Sequence, residues 1–199
     1  MTEDSREAKF VFFATSNVNK FNEAREVLAQ SGISVGMIRI KSLEIQSESL
    51  TEIAKASVMD SYKRYKLPIV VEDAGLFVDS LNGFPGPYAA YAFRTIGNQG
   101  LLRLMREAVD RKAYFKSVVS YQSSGLRVPI CFEGMSTGEI LFEERKPLDR
   151  IVFGFDPIFR PDAGKKAFAQ MSVSEKCKFS HRADAFRKFA EWYNKFKAS

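Results

Sequence analysis

Four short stretches carry side chains whose types and spacing can do chemistry. Glu72 and Asp73 stand side by side after the apolar run Ile69-Val70-Val71. Carboxylates where a short buried strand runs out suit Mg²⁺, which takes oxygen ligands and retains bound phosphate. They can also orient or deprotonate a water. Glu44, in the polar stretch before Ser49, is a candidate second metal ligand. Thr15-Ser16-Asn17-Val18-Asn19-Lys20 lies between a strand-like and a helix-like segment. A helix N-terminus there favours an anion, to which the hydroxyls, the amide and Lys20 add donors. The glycines of a Walker loop are missing. In Phe153-Gly154-Phe155-Asp156-Pro157 the aromatics could flank a base, and Asp156 could accept from a purine edge. Lys176 with Ser180-His181-Arg182 gathers an ammonium, a hydroxyl, an imidazole and a guanidinium, a set that complements phosphate and a base carbonyl. Each stretch also has a structural reading: an N-cap, a solvated acid pair, a tight turn, a structural histidine. Taken together they describe a nucleotide site better than a nucleic-acid groove.

The elements that must position these residues alternate in kind. Lys9 to Ala14 reads as a buried strand, and Asn19 to Gln30 as a helix with Phe21, Ala24, Val27 and Leu28 at helical spacing. Val35 to Ile40 is a second strand. Ser49-Leu50-Thr51-Glu52 is a capping box opening a helix to about Tyr65. Ile69 to Val71 predicts a short strand. Asn82 to Pro87 predicts a rigid loop, and Leu101 to Val109 a helix. Tyr114–Gln122, Val128–Gly134 and Thr137–Phe142 predict successive strands joined by turns. Ser174 to Lys178 predicts a short helix. Arg182 to Phe196 predicts a long one, capped by Ser180, whose stripe of Ala185, Phe186, Phe189, Trp192, Tyr193 and Phe196 is core. Alternating strand and helix favour an α/β fold.

The chain has 199 residues, 45% hydrophobic and 27% charged, values of one globular domain spanning 1–199. No apolar run approaches the roughly 20 residues that span a bilayer. Cys131 and Cys177 form no C-x-x-C pair and His181 is the only histidine, which argues against structural zinc. The polar N-terminus carries no signal pattern, so a cytoplasmic location is expected. The net charge of +6 is uneven: −1 over residues 1–100 and +7 over 101–199. That bias suits a polyanion, either nucleic acid or a phosphate-rich small molecule.

Thr-Ser-Asn-x-x-Lys at 15–20, Glu-Asp-x-Gly-Leu at 72–76, Gly-Phe-Pro-Gly-Pro-Tyr at 83–88, Phe-Gly-Phe-Asp-Pro-Ile-Phe at 153–159 and Ser-His-Arg at 180–182 occur in this order. The series resembles the inosine/xanthosine triphosphate pyrophosphatase family, over about Phe10 to Phe196. The resemblance implies an elongated, two-lobed α/β fold around a central mixed sheet, with the active site in the cleft. It also implies a homodimer, Mg²⁺ dependence, and hydrolysis of ITP, dITP or XTP to the monophosphate and pyrophosphate. By motif, Thr15, Ser16, Asn17 and Lys20 would hold the triphosphate. Asp73 would be metal ligand and general base, with Glu44 as metal partner and Glu72 in support. Phe153, Gly154, Phe155 and Asp156 would line the base pocket. Lys176 would contact phosphate or base, and His181 and Arg182 would read the base.

Two departures stand out. Relatives commonly have Ser or Thr after the Glu-Asp pair, where this chain has Ala74, whose contact to substrate could only be through its backbone. Relatives often carry a Lys where this chain has Ser57, and Lys55 stands two residues early. The competing readings are a pyrophosphatase for modified pyrimidine or methylated nucleotides and a basic nucleic-acid-binding domain. The acidic pair and the absence of a groove-reading motif argue against a stable nucleic-acid partner.

Overall fold

The computed structural model describes residues 9–40, 43, 45–147 and 154–198. Glu44 and Phe153, the expected metal partner and base-pocket aromatic, lie outside the described residues. The chain order begins β1 (Phe10–Ala14), α1 (Val18–Gln30), β2 (Ser34–Ile38), α2 (Leu50–Tyr65), β3 (Ile69–Val78) and β4 (Pro85–Gly86). It continues α3 (Ala89–Thr95), α4 (Gly97–Leu104), β5 (Lys112–Gln122), β6 (Ile130–Ile140), β7 (Phe159–Pro161), α5 (Val173–Cys177) and α6 (His181–Phe196). Seven strands form one mixed sheet in the order β2-β1-β3-β5-β6-β7, with β4 paired to β3. β1 is parallel to β2 and β3, and the other pairings are antiparallel.

The core has three parts. Val11, Phe13 and Val70 of the sheet pack with Ala24 and Leu28 of α1 and with Phe186 and Phe189 of α6. On the opposite face Ile69, Val71 and Val118 pack with Leu50, Ala54 and Val58 of α2. Farther along the long strands, Leu76, Val78 and Phe115 pack with Leu101, Phe155 and Phe159.

The strand bounds differ from the sequence expectation in two instructive places. β3 does not end at Val71: it runs through Glu72 and Asp73 to Val78 and pairs with β5 over its whole length. The acids therefore sit in the middle of a strand, where Lys20 and Arg182 neutralise Glu72. Val128–Gly134 and Thr137–Phe142 are one strand, β6, because its glycines serve close packing rather than turns. A Cβ at Gly134 would collide with the His181 carbonyl and the Ala185 amide, and one at Gly138 with the Arg160 carbonyl. Smaller differences are helix α4, which spans Gly97–Leu104 rather than 101–109, and α3, which has no counterpart in the sequence reading.

β3 is where the fold opens. β1 pairs with it at Ile69 and Val70 only, and β4 pairs with it at Leu76 and Phe77. Between those points, among the described residues, it has a strand partner only on the β5 side, beyond the carboxyl end of β1. In open α/β sheets that is where ligands enter.

Candidate active site

Helix α1 starts at the end of β1, and its first turn is set by Asn17. The Asn17 side chain accepts from the Asn19 and Lys20 amides at 3.0 and 3.1 Å. The Asn17 amide in turn donates to Thr15 Oγ1 at 3.1 Å. Two of the helix's N-terminal amides are thus satisfied within the loop. For an anion the segment offers the Thr15 and exposed Ser16 hydroxyls, the Asn17 amide group and the Lys20 ammonium.

Lys20 reaches from α1 to β3, 3.0 Å from Glu72 Oε2 and 3.3 Å from the Glu72 carbonyl oxygen. It is the outer end of a chain of alternating charges. Glu72 Oε1 lies 3.1 Å from Arg182 Nε and accepts from the Ser117 hydroxyl at 2.5 Å. Arg182 Nη1 donates to Glu23 Oε2 at 3.0 Å. Glu23 Oε1 lies 3.0 Å from Lys176 Nζ, which also donates to Asp156 Oδ2 at 2.7 Å. The order Lys20, Glu72, Arg182, Glu23, Lys176, Asp156 joins five elements and sums to zero charge. All but Lys20 are buried. Burial of charges at this depth is tolerated only with such pairing.

The electrostatics follow. Burial pushes the Glu23 carboxyl up, but Lys176 and Arg182 pull it further down, to about 2. Burial and then Arg182 and Lys20 act in the same opposed way on Glu72, which ends well below the carboxylate range. For Asp156 burial prevails over the pull of Lys176, and the carboxyl is raised. His181 is held neutral by burial, reinforced by Arg182 and Lys176.

His181 opens α6, capped by Ser180, whose hydroxyl accepts from the Ala183 amide at 3.1 Å. Its ring stacks on Phe115, centroids 4.7 Å apart at 11°. His181 Nδ1 is buried without a hydrogen-bond partner among the described residues. Unpartnered buried polar atoms are uncommon and mark a place where a ligand's own groups can pair.

The structure therefore brings Lys20, Lys176, Asp156, His181 and Arg182 into one connected cluster, with Thr15, Ser16 and Asn17 at its outer end. Ala74 shares the Glu72 face of β3 and lies opposite Ser117, whose hydroxyl goes to Glu72. Asp73 lies on the other face of β3 from Glu72. Side chains alternate along a strand, so Asp73 is on the α2 face with Ile69 and Val71 while Glu72 is on the α1 and α6 face. Phe155 packs in the core, edge-on to Phe93 with centroids 5.5 Å apart, and Gly154 turns the chain before it with φ +55°. Lys176 and Arg182 are each 1% exposed, held between carboxylates. Ser57 is buried and donates to the Leu43 carbonyl at 2.5 Å, and Lys55 is exposed on α2.

Sequence reasoning missed Glu23 and Ser117. The signal for Glu23 was present: an acid four residues before Val27, inside the apolar stripe of α1. An acid on a buried helix face needs a partner. Ser117 gave no such signal.

Among the described residues no three His, Cys, Asp or Glu side chains converge as a metal site. Asp73 carries its carboxylate on the α2 face of β3, whereas Glu72 is committed to Lys20, Ser117 and Arg182. Mg²⁺ commonly takes one or two carboxylates and completes its shell with water and substrate phosphates. The donor set fits an ion that arrives with a nucleotide.

Hydroxyl, amide and ammonium donors at the start of α1 and a buried neutral histidine, at the split of a mixed sheet, suit a nucleotide-binding α/β protein. The chain belongs to the Ham1 family, whose model matches residues 11–192. It is 47% identical over 183 residues to the dITP/XTP pyrophosphatase of Methanopyrus kandleri, 92% of this chain and 95% of that one. It is 42% identical to the dITP/XTP pyrophosphatase of Hyperthermus butylicus, over 96% of this chain and 97% of that one. The Ham1 protein of Staphylococcus aureus has the same fold, with a TM-score of 0.77 at 26% identity, covering 94% of this chain and all of that one.

Proposed function

We propose that this protein hydrolyses deaminated purine nucleoside triphosphates, dITP, ITP and XTP, to the monophosphate and pyrophosphate. The observation that carries the reading is His181, buried, neutral and with Nδ1 unpartnered, next in sequence to Arg182, a link of the ion chain that begins at Lys20. Two relatives covering most of the chain bear the name of that activity.

Thr15, Ser16, Asn17 and Lys20 bind the triphosphate. Asp73 would hold Mg²⁺, with Glu44 as partner ligand, and is the base that takes the proton of the attacking water. Mg²⁺, when bound, would supply charge neutralisation of the phosphates. His181 reads the base, and Arg182, fixed by Glu23 and Glu72, positions it from behind. Inosine and xanthine carry a carbonyl at the 6-position where adenine carries an amino donor. An N–H of His181 matches the carbonyl and is left facing another donor by adenine. Each such mismatch costs about 1–3 kcal/mol, roughly tenfold or more in preference.

We assign the active unit as a homodimer. Phe84, Tyr88, Tyr91, Phe93 and Ile96 are all exposed within thirteen residues, apolar area of the kind a second copy covers. Among the described residues no helix is long and apolar enough to cross a membrane. A cytoplasmic location fits an enzyme of the nucleotide pool.

Separating the products of ITP hydrolysis tests the reaction. IMP and pyrophosphate in equal amounts are expected. IDP and phosphate would place the cleavage elsewhere and overturn it.

A further inference from the structure

Lys176 is locked between Glu23 and Asp156, so the cations that meet a polyphosphate near Asp73 must come from elsewhere. Lys20 serves the α1 face of β3. On the α2 face the strand register places another. Asp73 lies opposite Val118 on β5, and Val118 lies opposite Glu133 on β6. Lys116, two residues before Val118, lies on the same face by strand alternation and is the diagonal neighbour of both acids. Diagonal neighbours are roughly 7–8 Å apart, within reach of a lysine arm. Its ammonium lies 2.8 Å from Glu133 Oε2, and the Thr51 hydroxyl at the start of α2 donates to Glu133 Oε1 at 2.9 Å. Lys116 is 32% exposed and Glu133 52%.

We infer that Lys116 is a further substrate-binding residue, a cation for the polyphosphate chain on the α2 side of Asp73, kept in place by Glu133 until substrate arrives. The inference rests on the reading of Asp73 as the hydrolytic centre. A half-exposed ion pair has little net strength, so phosphate takes the ammonium at little cost. Glu133 keeps Thr51 when Lys116 leaves. The flexible stem of lysine suits such an exchange of anions, whereas a buried, doubly paired group such as Lys176 does not.

Pyrophosphate and IMP as competing inhibitors of ITP hydrolysis by the full chain separate the two ends of the site. Lys116→Met should weaken pyrophosphate inhibition and raise KM for ITP by about tenfold, the loss of one charge-assisted contact. Inhibition by IMP should stay within about twofold, and Lys116→Arg should restore most of the pyrophosphate effect. Unchanged pyrophosphate inhibition in Lys116→Met would overturn the assignment. So would equal weakening of pyrophosphate and IMP, which would mean general damage to the fold. Calorimetric binding of pyrophosphate needs no turnover. It therefore decides the Lys116 question separately from Asp73→Asn, whose retained turnover would remove the Asp73 reading instead.

Discussion

Glu23 accepts a hydrogen bond from Arg182 at 3.0 Å although 159 residues separate them in sequence. The same carboxylate faces Lys176 at 3.0 Å and accepts from Ser180 at 3.2 Å. One acid on α1 thus fixes the residues on both sides of His181 and the lysine before it.

Removing that acid should be costly. Glu23→Gln leaves Lys176 and Arg182 facing a neutral group in a buried site. Breaking a buried pair on one side costs about 3–5 kcal/mol. Urea unfolding should show a loss of that order, together with a fall in kcat/KM for ITP. A loss under about 1 kcal/mol would mean that the chain's charges relax independently.

Stability should fall with acid in two stages. Folded His181 is neutral, held below its ordinary 6.5 by burial and by Arg182 and Lys176. The unfolded chain takes up that proton as pH drops through about 6.5 and so binds more protons than the folded one. The His181 contribution is complete above 6.5 and declines below it, at up to about 1.4 kcal/mol per pH unit. Glu23 acts lower. With a folded pKa of about 2 against an ordinary 4.5, its contribution is complete above 4.5 and is lost as pH falls toward 2. Unfolding free energies at pH 5, 6, 7 and 8 should trace the upper stage, and His181→Gln should flatten it. A slope unchanged in that variant would assign it to other groups.

Gly134 lets α6 lie against β6, with no room for a Cβ between the strand and the His181 carbonyl. Gly134→Ala should therefore lift the start of α6, which carries His181 and Arg182. Overpacking of this kind costs about 1–3 kcal/mol. Both melting temperature and ITP turnover should drop. Turnover kept at a lowered melting temperature would show that the helix start is not needed in this position.

Asp73→Asn keeps the shape of the side chain and removes its charge. General-base contributions are about a hundredfold to ten-thousandfold, so kcat should fall by at least about a hundredfold with the fold intact. Near wild-type kcat would assign the hydrolytic role to another residue.

Much of this was legible in the sequence. The Asn17 and Ser49 caps, the amphipathic stripe of α6 and the Ser180 cap are local signals, and α1, α2 and α6 follow them. The strands were less legible. Gly134 and Gly138 read as turns because the helix and strand that press on them come from residues far along the chain. Glu72 read as a strand end because its neutralising partners, Lys20 and Arg182, lie 52 and 110 positions away. For the same reason the motifs gave the residue types of the site but not their division of labour. Nothing local shows that Lys176 and Arg182 are enclosed by Glu23, or that Asp73 and Glu72 serve opposite faces of one strand.

The most direct test of the account is the initial rate of pyrophosphate release from ITP, XTP, GTP and ATP in parallel, with Mg²⁺ and with the ion chelated. The account predicts fast Mg²⁺-dependent release from ITP and XTP, with ATP slower by about tenfold or more from the mismatched contact at the 6-position. ATP released as fast as ITP would contradict base reading by His181, and no release from any of the four would contradict the pyrophosphatase reading itself.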